Sequence, residues 1–261
     1  MTRAPAELLA SGPLQVLGRI MPASNHTFLC QLGEGDEAVQ AVYKPVSGER
    51  PLWDFTDGTL AQREYAAYLV SEATGWSVVP PTTLRDGPVG PGMVQLWQEP
   101  DESQEPVDIV PFGAVPEGYL HVLDAHDAQD EPVTLVHEDT PALRRMAVFD
   151  IVVNNTDRKG GHVLPMPDGR RLGVDHGVCF HTDDKLRTVL WGWAGRPLEA
   201  GELAGLDDLE AALGGPLGDE LGALLTAAEV AATLRRLRRL RQRGCFPVPS
   251  GEWPAIPWPP F

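Results

Sequence analysis

Residues 154–180 read NNTDRKGGHVLPMPDGRRLGVDHGVCF and place several reactive side chains between two apolar runs, although the chain has only three lysines and seven histidines. These side chains are Asp157, Lys159, His162, Asp175 and His176. The Pro-Asp-Gly turn at 167–169 predicts a hairpin. Its first strand lies in HVLPM, and its second lies in RLGVDHGVCF and brings Asp175 to a strand end. The stretch therefore predicts acidic and imidazole groups on both sides of a short hairpin.

This spacing suits phosphoryl transfer. That chemistry needs a lysine on the nucleotide phosphates, a carboxylate that holds the lysine, an Asp near the attacking hydroxyl and metal ligands around a short hairpin. A D-x-x-x-x-N loop followed by a hairpin and D-F-G is the kinase pattern. Asp157, His162 and Asp175-His176-Gly177 repeat the pattern, with histidine in place of Asn and of Phe.

The N-terminal part of the chain predicts an antiparallel sheet, because short apolar runs alternate there with turn signals. These runs are 14–21, 27–32, 38–45, 77–84 and 93–99. Lys44 ends the third run, which places the required lysine at the end of a strand.

A helix is predicted over residues 59–75. Thr59 and Gln62 have the spacing of a capping box, and Gly75 is a typical C-terminal stop. Glu64 lies one turn into this helix and faces back toward the sheet, so it is the candidate carboxylate for Lys44. An exposed Glu64 paired with Arg63 or Arg144 is the alternative.

The rest of the chain predicts a second unit. Residues 101–139 are acidic and predicted to be irregular, with a hinge between 99 and 105. Thr140 and Pro141 predict the start of a helix. Beyond the hairpin the chain is mostly helical, with Thr226 and Glu229 capping a long basic helix, and residues 247–261 are too rich in proline for regular structure.

This order of elements predicts an α+β fold with the two lobes of a protein kinase. A small antiparallel β lobe with one helix, residues 1–99, would bind the nucleotide. A larger, mainly helical lobe, residues 100–261, would carry the catalytic loop and end in the Pro-rich tail.

Three motifs also resemble a known family. The chain contains YKP at 43–45, TLAQRE at 59–64 and DRKGGH at 157–162. In these it resembles a bacterial phosphatidylinositol 3-/4-kinase-like family of the protein-kinase-like superfamily, related to HipA-type kinases, whose catalytic loop reads roughly D-R-H-x-x-N. The resemblance covers most of residues 14–195 and implies an ATP-dependent phosphotransferase with an alcohol acceptor, assisted by Mg²⁺ or Mn²⁺.

The kinase pattern and the resemblance together assign the site residues. The predicted catalytic residues are Asp157, Arg158 and Lys159, with Arg158 expected to pair with a carboxylate that holds the loop. The predicted nucleotide-binding residues are Lys44, Glu64, Ser24, Asn25, Gln95 and Trp97. The predicted metal ligands are His162 and Asp175.

Two departures from the kinase pattern concern the metal and the phosphates. Imidazole at position 162 favours softer ions such as Mn²⁺ or Zn²⁺ over Mg²⁺, which prefers oxygen. The segment PASNHT at 22–27 has no glycine, so phosphate contacts there would come from backbone amides and from side chains such as Ser24 and Asn25.

A zinc site in H-x-x-C-x-H at 176–181 is disfavoured, because strand alternation would separate His176 from Cys179.

Composition narrows the function classes. A formal charge of −16 opposes nonspecific binding to nucleic acid or anionic membrane. No run approaches the length of a membrane span, and the N-terminus lacks a signal-peptide core. Three widely spaced cysteines indicate reduced thiols. These features predict a cytoplasmic protein without an integral membrane segment.

Three functions remain open from the sequence. The first is an active kinase acting on a hydroxyl of a protein, of a small molecule or of the chain itself. The second is a nucleotide-binding pseudokinase. The third is a metal-dependent hydrolase built on Asp157, His162, Asp175 and His176, but a hydrolase does not require a strand lysine such as Lys44. The sequence favours the kinase.

Overall fold

A computed structural model describes residues 5–21, 25–50, 52–55 and 59–261 of the chain. Its first part is built from helix α1 (Pro5–Ser11), strands β1 (Leu14–Arg19), β2 (Phe28–Leu32) and β3 (Val39–Pro45), helix α2 (Leu60–Ala73), and strands β4 (Thr82–Gly87) and β5 (Gly90–Leu96). The strands form one antiparallel sheet in the order β1-β2-β3-β5-β4, which confirms the five predicted strands. The short helix α1 was not predicted.

The two faces of this sheet have different neighbours because side chains alternate along each strand. Cys30, Ala41, Tyr43 and Val94 are fully buried on one face, in a small cluster that includes two leucines of α1. Lys44 follows Tyr43 and therefore lies on the opposite face.

Helix α2 begins differently from the prediction. The side chain of Thr59 makes no capping hydrogen bond, so the predicted capping box with Gln62 is wrong. Thr59 instead accepts a hydrogen bond from Nε of Arg63 at 3.1 Å. The carboxylate of Glu49 accepts from the backbone N–H groups of Leu60 (3.2 Å) and Ala61 (2.8 Å) and supplies the cap. The predicted stop is confirmed, since Gly75 has the left-handed φ of 68°.

The prediction of irregular structure for residues 101–139 is wrong. Strands β6 (Val107–Pro111), β7 (Tyr119–His126) and β8 (Pro132–Glu138) form a second antiparallel sheet in the order β6-β8-β7. The central strand β8 is buried from Thr134 to Glu138. The acidic residues that suggested a loop, such as Asp108 and Asp124, belong to strands on the two edges of this sheet, where polar side chains remain accessible to water.

The remaining elements are helix α3 (Pro141–Val153), strands β9 (Val163–Pro165) and β10 (Arg171–Gly173), and helices α4 (Ala200–Leu213), α5 (Pro216–Leu224) and α6 (Ala227–Arg243). Two predicted helix starts are confirmed. The side chain of Thr140 accepts from the N–H of Leu143, and Thr226 and Glu229 form a capping box at the start of α6. Residues 247–261 contain no helix or strand, as predicted.

Helix α2 packs into the larger of two hydrophobic clusters, together with Val78, Val79 and residues of α3 to α6. Its Arg63 donates to the carbonyl of Cys179 (2.8 Å) and to Glu229 of α6 (2.6 Å). The helix assigned to the small lobe is thus fixed to the large cluster. The predicted division at residue 99 stays a prediction.

The arginines of α6 are largely explained by ion pairs within the chain. Arg238 and Arg241 pair with Glu210 of α4, and Arg239 pairs with Asp184. None of the helices in the described part of the chain combines the length and apolar character needed to cross a membrane.

We expect Glu49→Ala to lower the free energy of unfolding by about 0.5–2 kcal/mol, the usual cost of a lost N-terminal cap. The measurement is urea unfolding followed by circular dichroism. Glu34→Ala, at an exposed carboxylate, is the matched control and should change stability by less than about 0.5 kcal/mol. Equal losses for both variants would contradict the cap.

Candidate functional site

Lys44 lies at the centre of a three-residue ion-pair network. Its Nζ is 2.6 Å from Oε1 of Glu64 and 2.8 Å from Oδ1 of Asp175. Burial alone would lower the pKa of the ammonium, but the charges of Asp175 and Glu64 raise it above its ordinary value. Lys44 therefore stays protonated, and the structure joins three residues that were predicted from separate motifs.

Glu64 holds this network against the hairpin. Its side chain is 2% exposed, and its second oxygen accepts a hydrogen bond from the backbone N–H of His176 at 2.9 Å. The exposed Glu64 paired with Arg63 or Arg144, which the sequence left open, does not occur. Glu49 and Arg63 determine where Glu64 lies, because they fix the start of α2 and its contact with α6.

Asp175 does not end a strand as predicted, because β10 stops at Gly173. It has a left-handed φ of 62°, an uncommon conformation for a residue with a side chain. The hydrogen bond from the next residue to Glu64 fixes the backbone there. The neighbouring ammonium of Lys44 holds the pKa of Asp175 well below its usual range. The carboxylate is half exposed and negatively charged.

Two asparagines shape the loop that carries Asp157. Asn154 ends α3 with a left-handed φ of 55° and donates to the carbonyls of His181 and Asp183. Oδ1 of Asn155 accepts from the N–H of Asp157 at 2.9 Å. Burial raises the pKa of Asp157, and the nearby charge of Lys159, 3.9 Å away, opposes that shift.

Arg158 lies beneath the site and is fully buried. Its guanidinium contacts both oxygens of Asp150, at 2.8 and 2.9 Å, and Nε2 of His176 at 2.7 Å. It also donates to the carbonyls of His162 and Val174. This is the predicted carboxylate pairing. Arg158 does not border the cavity that Lys44 and Asp157 share, and its contacts are those of a residue that positions the loop. Its assignment as a catalytic residue stays a prediction.

His162 lies between the loop and Asp175. Its Nδ1 is 3.1 Å from the carbonyl oxygen of Asp157, and its Nε2 is 3.6 Å from Oδ2 of Asp175. Burial lowers the pKa of His162, which favours the neutral ring. A neutral ring that donates from Nδ1 to the carbonyl has a lone pair on Nε2 facing the carboxylate.

The imidazole and carboxylate are suitable ligands for a divalent cation such as Mn²⁺. They form a two-residue set, since the described residues contain no group of three or more His, Cys, Asp or Glu side chains placed to hold a metal.

A cavity of about 360 Å³ opens beside these groups. Among the residues that border it are Asn25, Lys44, Glu49, Arg50, Glu64, Asp157 and Asp175. Oδ1 of Asn25 accepts from the N–H of Arg50 at 2.9 Å. Arg50 and Glu49 were missed by the sequence analysis, since neither belongs to a recognisable motif. Ser24 lies outside the described residues.

Gln95 and Trp97 do not border this cavity. Gln95 is buried on the same sheet face as Lys44 and donates to Oγ1 of Thr82 at 2.9 Å. The indole N–H of Trp97 donates to Glu99. Their assignment to the nucleotide stays a prediction.

The histidines and cysteine of H-x-x-C-x-H take part in separate contacts. The strand that was expected to separate His176 from Cys179 ends before both of them. His176 contacts Arg158, Cys179 is buried in the large cluster, and His181 packs edge-on against Phe55.

We expect Arg158→Lys to lower the free energy of unfolding by about 3–5 kcal/mol, because lysine cannot make the two-point contact and leaves Asp150 buried with a poor partner. Urea unfolding measures the change. Arg170→Lys, in a half-exposed pair with Asp168, is the control and should cost at most about 1 kcal/mol. Similar losses in both variants would contradict the role of Arg158.

Comparisons with known proteins place the chain among its relatives. No family model matches it. Among solved structures, it is similar to that of the Helicobacter pylori proinflammatory kinase CtkA, with a TM-score of 0.42 and 12% identity over 91% of this chain and 94% of the other. It is 52% identical over 263 aligned positions to protein Rv2133c of Mycobacterium tuberculosis (strain ATCC 25618 / H37Rv), with 97% of this chain and 94% of that protein covered. On this identity, the chain belongs to the family of the mycobacterial protein Rv2133c.

Proposed function

We propose that this chain is an ATP-dependent kinase that transfers the γ-phosphate to a hydroxyl group of a protein or small molecule. One observation carries the proposal. Lys44 contacts both Glu64 and Asp175, and Asp157 borders the same cavity. Lys44 and Asp175 are 131 positions apart in the sequence. Kinases use the same residue types to hold the nucleotide phosphates and to act on the acceptor hydroxyl.

Lys44 is suited to hold phosphate oxygens. Its ammonium stays charged beside two carboxylates and faces a cavity that also contains Arg50. When ATP binds, a phosphate oxygen can take the place of one carboxylate contact, while Glu64 keeps the lysine in position. Arg50 and Asn25, which border the same cavity, are the next candidates for phosphate contacts.

His162 and Asp175 would hold the divalent cation, whose chemistry is to neutralise charge on the phosphates. The proposal requires phosphate oxygens and water to complete the coordination, because the described residues provide no third protein ligand beside His162 and Asp175. The imidazole favours Mn²⁺ more than an asparagine would.

Asp157 is the candidate general base. The acceptor hydroxyl would give its proton to the Asp157 carboxylate as its oxygen forms a bond to the γ-phosphorus. The bond between the γ-phosphorus and the β–γ bridging oxygen breaks, and ADP leaves with that electron pair. Burial raises the pKa of Asp157, which makes its carboxylate a stronger base than an exposed one.

A nucleotide-binding pseudokinase is the second candidate. The observation in its favour is that no group of three or more potential metal ligands occurs among the described residues. The metal-dependent hydrolase has less support, because His176 is buried and its Nε2 faces the guanidinium of Arg158 at 2.7 Å. His176 thus has a structural role.

Substitutions of Asp175 and Asp157 should have different effects on ATP binding and on phosphate transfer. Asp175→Asn should weaken metal-dependent ATP binding and abolish transfer, and Lys44→Ala should weaken ATP binding. Asp157→Asn should bind ATP and metal normally but transfer phosphate at least ~10²-fold more slowly, the usual loss for a missing base. Calorimetry measures ATP affinity, and radiolabel transfer to acceptors or water measures turnover.

Wild-type protein that binds ATP without releasing labelled phosphate to any acceptor would favour the pseudokinase. Failure to bind any nucleotide, or full ATP affinity in Lys44→Ala, would overturn the nucleotide site.

Replacing His162 with asparagine tests the metal assignment. Wild-type protein should be at least as active with Mn²⁺ as with Mg²⁺, and His162→Asn should shift the preference toward Mg²⁺, because the amide supplies oxygen where imidazole supplies nitrogen. Calorimetric titration of the ATP-bound protein with each ion provides a second measurement. Unchanged metal preference in the variant would reduce His162 to a structural role.

A further inference from the structure

The Pro-rich tail lies across the loop that carries Asp157. The carbonyl of Pro260 accepts a hydrogen bond from the N–H of Gly160 at 2.8 Å. The ring of Phe261 packs so closely on Gly160 that a Cβ there would overlap it. A side chain at position 160 would therefore displace the ring of Phe261. Gly160 lies three positions after the candidate base Asp157 in the sequence.

Further tail contacts lie along the same surface. The carbonyl of Ala255 accepts from the N–H of Thr188 at 3.0 Å and from the indole N–H of Trp191 at 2.8 Å. Thr188 lies next to the loop, since its chain forms a parallel bridge with Arg158. Residues 255–261 thus run from Trp191 to Gly160. The carbonyls of Ala255 and Pro260 accept the hydrogen bonds that hold the segment there.

An aromatic clamp fixes the start of this segment. Trp253 and Trp53 each lie 4.8 Å from the ammonium of Lys185, which also pairs with Asp54 at 3.3 Å. Cation–π contacts of this kind are stabilising. The clamp connects the tail to the chain segment just before α2.

Two properties indicate what this surface recognises. Hydrogen bonds to main-chain carbonyls bind extended segments of many sequences, as in other peptide-recognition sites. Residues 251–261, GEWPAIPWPPF, contain no serine, threonine or tyrosine. The segment therefore supplies no hydroxyl of its own.

We infer that the surface formed by Gly160, Thr188 and Trp191 is the docking site for an extended, hydroxyl-bearing protein segment, and that residues 253–261 occupy it as a pseudosubstrate. The inference rests on the proposed kinase function. It specifies protein as the acceptor class and gives the tail an inhibitory role.

Placing a hydroxyl in the tail tests the inference on the full chain. Pro259→Ser, Pro260→Ser and Phe261→Tyr are incubated with ATP and Mn²⁺ or Mg²⁺. In a productive variant the new hydroxyl loses its proton to Asp157, its oxygen bonds to the γ-phosphorus and ADP leaves. Intact mass should then rise by one phosphate in at least one variant, at a rate independent of protein concentration.

Val248→Ser is the matched control, because it adds a hydroxyl to an exposed tail position ahead of the docked segment. It should gain no phosphate. Labelling of Val248→Ser as fast as the three contact variants would overturn the inference. So would the absence of labelling in all three while wild-type protein releases phosphate from ATP to water or another acceptor.

A second measurement uses an external acceptor, a synthetic peptide of residues 252–261 with serine at position 260. Phe261→Ala loosens the tail and should phosphorylate this peptide faster than wild-type protein does. Trp258→Ala, at a tail side chain that is 81% exposed, should not. Equal rates in all three proteins would count against the pseudosubstrate.

Failure of the kinase function gives a distinct result. In that case every protein, including wild type, would leave ATP intact with all acceptors and with water, and this inference would fall with it. ATP consumption without labelling of the tail or the peptide overturns the docking site alone.

Discussion

The buried guanidinium of Arg158 determines the geometry of the candidate site. It joins Asp150 of α3, the loop carbonyl of His162, the carbonyl of Val174 and the ring of His176. A charge removed from water is costly unless its partners satisfy it, and here a carboxylate and backbone carbonyls do so. Because the same side chain contacts both sides of the hairpin, Asp157 and Asp175 keep a fixed relation to each other.

The second constraint is the position of α2, which connects the sheet to the large cluster. Glu49 caps its start, Arg63 ties it to α6, and Glu64 reaches both Lys44 and the backbone of His176. A displacement of α2 would break the lysine contact and the hairpin contact together. Helix α2, which packs into the large hydrophobic cluster, therefore positions the groups of the site.

The strands and helix caps that were predicted correctly are those that depend on residues a few positions apart in the sequence. The strand around Lys44 and the caps at Thr140 and Thr226 could be predicted because strand alternation and capping involve residues a few positions apart. The cap from Glu49 could not, since it comes from outside the helix and across a loop. Strands β6, β7 and β8 were missed, because the acidic residues of this region resemble a loop when the pairing of the strands is unknown.

The site shows the same division. Lys44, Glu64, Asp157, His162 and Asp175 were predicted from motif spacing, and the structure brings them together. Asp150 and Arg50 carry no motif, and their roles follow only from contacts between distant parts of the chain. The tail could be predicted to lack regular structure, but composition does not reveal that Phe261 covers Gly160, because that contact joins residues 101 positions apart.

The two aspartates at the cavity have opposed environments, and under the proposed kinase function this difference suits them to different tasks. Burial raises the pKa of Asp157, with Lys159 opposing, whereas Lys44 lowers the pKa of Asp175. A carboxylate that gains affinity for a proton is suited to accept one from a hydroxyl, and a carboxylate held ionised is suited to bind a cation. Of the two aspartates, Asp175 is the one that pairs with Lys44, so the lysine acts on Asp175 while burial dominates at Asp157. Under the proposed kinase function, exchange of the Lys44–Asp175 contact for a phosphate oxygen would free Asp175 when the nucleotide arrives and would couple ATP binding to completion of the metal site.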